Sequence, residues 1–171
     1  LIAARWPFCW LILLFLWQAT GLALANPQGH ESPPPSKANT WQVAVDGSGQ
    51  FMLIQEAIDH ASSGDTILIK AGTYAEDVTV HSKEHLTITG EGIDQVFITG
   101  EKRVGSLHIG KWPYGATNVT LQGLTVSQHG GLGVGIFNGS GVHLKNIHVK
   151  GMVFSQQVQG VHIEDCIIEG S

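Results

Sequence analysis

Asn118-Val-Thr-Leu-Gln-Gly-Leu-Thr-Val126, Gly141-Val-His-Leu-Lys-Asn-Ile-His-Val149 and Gly160-Val-His-Ile-Glu-Asp-Cys-Ile-Ile168 align without gaps, their first residues 23 and then 19 positions apart. Each segment alternates apolar and polar residues, breaks at one position, and turns apolar again, the period of a strand with one buried face. Val119 and Leu121, Val142 and Leu144, and Val161 and Ile163 are expected to point inward, and after the break Leu124 and Val126, Ile147 and Val149, and Cys166 and Ile168. The break falls on Gly123, Asn146 and Asp165, with Gly90 in a looser copy. These residue types enter the left-handed backbone region at least cost. A repeat of about 20 residues that cannot bury its apolar face alone must stack on its neighbours. The chain is therefore expected to be all-β, a right-handed parallel β-helix. Thr66-Ile-Leu-Ile-Lys70 and His85-Leu-Thr-Ile-Thr-Gly90 fit the template as earlier coils. A leucine-rich repeat would need Leu and Asn at fixed offsets, and Asn146 alone stands at such a place.

Upstream of the coils, Trp41-Gln-Val-Ala-Val-Asp46 reads as a strand and Gly47-Ser-Gly-Gln50 as a turn. The next stretch, 51–61, places Ile54, Ala57, Ile58 and Ala61 on one helical face before Gly64-Asp65 ends it. A short amphipathic helix is what an open solenoid end needs to cover its apolar residues and strand edges.

The remaining N-terminal residues read as a leader and a tether. Arg5 precedes an apolar run from Trp6 to Trp17 that ends near the small residues of Ala23-Leu24-Ala25, so residues 1–25 are expected to be a signal peptide cut before Asn26. The run is shorter than the roughly 20 residues that a membrane span requires, and no span is expected in the mature chain. Residues 26–40, with Pro33-Pro34-Pro35, read as a Pro-rich linker, leaving 41–171 as the β-helix domain. That domain is expected to stop before the solenoid is complete. The location implied is secreted or periplasmic.

Nine Lys and Arg against fourteen Asp and Glu give a net charge of -5 without a basic block, which argues against nucleic acid as a partner. Removal of Cys9 with the leader would leave Cys166 unpaired, on an apolar strand face where a buried thiol is expected.

Val45-Asp46-Gly47-Ser48-Gly49-Gln50-Phe51, then Ile54-Gln55-Glu56-Ala57-Ile58, Gly64-Asp65-Thr66-Ile67, Ile69-Lys70-Ala71-Gly72-Thr73-Tyr74 and Glu76 resemble the opening of the pectin-lyase-like superfamily. The stretch 41–100 is similar to the start of pectin methylesterases and of other secreted parallel β-helix proteins. The resemblance implies the architecture and, less narrowly, a carbohydrate esterase, a polysaccharide lyase, an epimerase or a protein without catalysis. Pectin methylesterases use paired Asp residues, a Gln-rich strand and an Arg in later coils. Gln156-Gln157-Val158-Gln159 is followed by no Ala-Leu-Arg, and no Asp-Phe-Ile-Phe segment occurs. Lyases of the superfamily use clustered calcium-binding carboxylates and an Arg base. Here Glu164 and Asp165 stand nearest to such a cluster, and the Arg residues are Arg5 and Arg103.

Stacking supplies candidate sites of another kind. Thr120, His143 and His162 are expected in one outward column, with Gln122, Lys145 and Glu164 in the next, at a strand spacing of about 4.8 Å. Such a polar column suits sugar binding or proton transfer and equally suits a solvated, cross-paired face. Two histidines name no third metal ligand, so no metal site and no cofactor are assigned. Trp112-Pro113-Tyr114 lies in an insertion, the step from Leu86 to Val119 being 33 residues, and its rings suit either sugar stacking or loop packing. Asn118-Val119-Thr120 and Asn138-Gly139-Ser140 are glycosylation sequons. The expected function is an exported β-helix that binds or processes polysaccharide, a pectin-like acidic glycan, with its catalytic coils outside this sequence. The alternative is a non-catalytic surface or periplasmic scaffold.

Overall fold

The computed structural model describes residues 37–100 and 105–170, with backbone alone at 129 and 130. The leader expected at 1–25, most of the linker at 26–40, Cys9 and Arg103 lie outside the described residues. In chain order the elements are β1 (Thr40–Val43), α1 (Ile54–His60), β2 (Thr66–Ile69), β3 (Gly72–Tyr74), β4 (Val78–Val80) and β5 (Thr87–Gly90). They continue with β6 (Val96–Thr99), β7 (Leu107–Ile109), β8 (Thr120–Phe137), β9 (Ser140–Gln156), β10 (Gln159–Glu164) and β11 (Ile167–Glu169). Every strand pairing is parallel. The chain is a right-handed parallel β-helix whose long strands β8 and β9 bend around its corners.

Three sheet faces result. On the first, β1, β2, β5, the start of β8, the start of β9 and β10 lie in order, with Ile67, Ile88, Leu121, Leu144 and Ile163 in one register column. On the second, Tyr74, Ile98, Val126, Val149 and Ile168 align through β3, β6, β8, β9 and β11. The third carries Val78, Leu107, Val134 and Val153 through β4, β7, β8 and β9. Most of these side chains are buried, and they form a single aliphatic core with the apolar face of α1. Columns of this kind are the solenoid's answer to coils too thin to exclude water alone.

The turn between the first two faces uses positive φ at Gly123 (67°), Asn146 (47°) and Asp165 (52°), as their residue types predict. Gly90 is a correction: its φ is not in that region, and a Cβ there would run into the Gly123 carbonyl of the next coil. A second left-handed column, His85, Asn118, Gly141 and Gly160, opens each coil. The third face was not expected from the sequence. The 33-residue step contains β6 and β7 and then a short hairpin bridging Lys111 and Tyr114, so a longer coil and a hairpin fill it.

The cap is shorter than its periodicity suggests. The helix spans 54–60, because Phe51 instead pairs with the first strand: Ala44 donates to its carbonyl at 2.9 Å and its N–H donates to Gln42 at 3.2 Å. At the opposite end Ile163, Ile167 and Ile168 are about half exposed, and Val161 and Cys166 are partly covered. Inward orientation does not bury Val161, Ile163, Cys166 and Ile168, since β10 and β11 pair with β9 alone among the described strands. No described helix is long and apolar enough to cross a membrane.

Candidate functional site

Two outward surfaces, on different faces, gather the candidate residues. On the first face, parallel register places Thr66, Thr87, Thr120, His143 and His162 in one column and Gln122, Lys145 and Glu164 in the next. The imidazoles of His143 and His162 stack with centroids 4.7 Å apart and planes 19° apart. Lys145 Nζ lies 3.3 Å from Glu164 Oε1 with both side chains at least half exposed, a pair that contributes about 0–1 kcal/mol. Thr120, His143, Lys145, His162 and Glu164 border a hollow of about 210 Å³ floored by Leu144. The polar column expected from the sequence is thus assembled in space. No group of three or more potential metal-ligating His, Cys, Asp or Glu side chains occurs among the described residues.

The second surface is on the third face. Thr79, His108, Gly135 and Phe154 share an outward column. A Cβ on Gly135 would sit 2.6 Å from the Phe137 ring and 2.8 Å from the His108 ring, which lean together over it and would have to shift. Their centroids are 5.8 Å apart, and Phe137 and Phe154 follow at 5.9 Å. The hairpin then projects Lys111 and Trp112 beside them. Thr79, His108, Gly110, Lys111, Trp112 and Phe137 surround a cavity of about 340 Å³, within the range of small-ligand sites. Trp112 is 74% exposed, so core packing does not account for it. Tyr114, also exposed, does not line this cavity. Sequence reasoning found Trp112 but missed Lys111, His108 and Phe137. Gly131-Leu132-Gly133-Val134-Gly135 hides the strand that carries Phe137, because alternating glycines weaken the strand signal.

The His148 side chain is 17% exposed, with Nε2 3.2 Å from a Glu169 carboxylate oxygen. One expectation changes. Cys166, expected to be buried, is only partly covered; its thiol donates to the Leu144 carbonyl at 3.3 Å.

Comparison with known proteins agrees with this architecture. A family model described as Pectinesterase matches residues 40–130. Over 65 residues the chain is 45% identical to a probable pectinesterase/pectinesterase inhibitor of Arabidopsis thaliana, covering 37% of this chain and 12% of that protein. It is 48% identical over 67 residues to pectinesterase 2 of Citrus sinensis, covering 37% and 13%. Among solved structures, the pectin methylesterase from carrot superposes with a TM-score of 0.59 at 20% identity, over 75% of this chain and 51% of that one. A pectin methylesterase solved in complex with a hexasaccharide gives 0.60 at 18% identity, over 76% and 49%. The aligned part spans about an eighth of the curated relatives and about half of the solved neighbours.

Proposed function

The chain belongs to the pectinesterase family, and from that premise we propose that it is part of an exported protein that binds or processes a pectin-like acidic polysaccharide, held in the cleft beside Trp112. One observation carries the reading: an exposed indole, a Phe ring, a lysine and a histidine converge on a single cavity. Ring faces such as Trp112 and Phe137 pack on the apolar faces of pyranoses, and Lys111 supplies the charge that a uronate carboxylate needs. A structural relative solved with a hexasaccharide supports a glycan as the ligand class. The apolar run before Ala23-Leu24-Ala25 supports export.

Catalysis is a separate matter. Ester hydrolysis by paired carboxylates needs two acids beside the sugar, and none of the described residues lining this cleft is a carboxylate. The chain in hand is therefore expected to bind glycan without turning it over. Purified 26–171 should bind polygalacturonate, lose about tenfold in affinity on Trp112→Ala, and release neither methanol nor unsaturated product from pectin. Failure to retain polygalacturonate would sink the glycan reading and favour a scaffold, whereas measurable ester release would place a reaction in these coils.

A further inference from the structure

We propose that the stacked pair His143 and His162 forms a second anion site, on the first face, which takes a uronate carboxylate and tightens as the imidazoles protonate. The proposal rests on the glycan reading above for its ligand class but uses no residue of the Trp112 cleft.

The geometry sets the behaviour. Two imidazoles stacked at 4.7 Å cannot both gain charge without repelling each other. A carboxylate that accepts from both rings removes this penalty. Anion binding then favours protonation, and by reciprocity protonation favours anion binding. Imidazole is the side chain that changes charge between pH 5 and 8, so the site strengthens as pH falls through that range.

The surroundings leave the histidines in control. On β9 the one charged neighbour in the hollow is Lys145, and on β10 it is Glu164; they face each other at 3.3 Å and largely cancel. From β8 comes the neutral hydroxyl of Thr120, and from β5 in the same column Thr87. Thr120 and Lys145 add donors that a carboxylate or sugar hydroxyl can use. Lys145 also lines an adjoining hollow of about 230 Å³ with Thr89, Gln122 and Asn146, which extends the polar strip along the helix axis.

The test compares the affinity of the full chain for polygalacturonate at about pH 5.5 and about pH 7.5. The wild type should tighten about tenfold on acidification. His143→Gln/His162→Gln should lower that ratio below about twofold. His108→Gln, which alters the other cleft, should keep it. Loss of the ratio in His108→Gln with retention in the double variant overturns the proposal, as does a wild type with no acid gain. If Trp112→Ala leaves binding untouched while the acid gain persists, the second site stands and the cleft reading falls. Free galacturonate should show the same acid gain more weakly. If it shows the full gain, and inorganic phosphate matches it, the site takes small anions and the polymer is not its ligand.

Discussion

The carboxylate of Asp65 is 1% exposed and accepts from the Asn39 N–H at 2.8 Å, the Trp41 indole at 2.8 Å, the Ser62 N–H at 2.9 Å and the Asn39 amide at 3.4 Å. Burial pushes its pKa up, but the donors outweigh it and the net shift is below the ordinary 3.8. A folded pKa below the unfolded one means that the ionised group stabilises the fold above about pH 4, and that this is lost as pH falls further. Asp65→Asn is thus expected to cost roughly 1–3 kcal/mol at neutral pH, by unsatisfying donors. Thermal melts from pH 6 to 2 should fall more steeply below about pH 4 in the wild type than in the variant. Parallel curves would show that the carboxylate is not ionised in the fold. Other residues of the family-like opening are equally structural. Asp46 holds Ser48 through its N–H and hydroxyl at 3.0 and 2.7 Å, and the buried Tyr74 hydroxyl donates to the Lys70 carbonyl at 2.9 Å.

At the scale of elements, α1 has seven residues and would not form alone. Its own N-cap, Leu53, offers no side-chain bond. Glu76, from the coil beneath, accepts from the Ile54 and Gln55 N–H groups at 2.8 and 3.0 Å, and Lys83 donates to the Asp59 and Ala61 carbonyls at 3.2 and 2.6 Å. Charge placement at both ends suits the helix dipole. The Gln55 amide binds the N–H and the C=O of Thr79 at 2.8 and 3.2 Å, standing in for one more strand at the edge of β4. Glu76→Ala should cost about 1 kcal/mol and speed amide exchange at 54–57 while leaving 120–126 protected. Uniform acceleration would mean that cap and coils unfold together.

Across the whole molecule, stability should rise toward the middle coils. Leu121 is fully buried between coils on both sides, whereas Ile163 is 50% exposed. Leu121→Ala is expected to cost roughly 2–5 kcal/mol and Ile163→Ala under about 1 kcal/mol, read from chemical denaturation. Among the described strands β10 and β11 pair with β9 alone, and that edge, with its half-exposed isoleucines, should associate or fray. Sedimentation as a clean monomer, with slow exchange over 160–168, would contradict this.

The sequence by itself determined the repeat, the inward columns on two faces, the capping helix and the alignment of His143 with His162. All follow from local periodicity, which burial enforces at every coil. It also held Glu76 and Gln55 as family markers without their reason, because a cap contact 22 residues away has no local signature. Tertiary structure alone decided the third face, since short or glycine-rich strands acquire their identity from neighbours above and below. It alone brought Lys111, His108 and Phe137 to Trp112, because residues up to 29 apart along the chain meet only when coils stack.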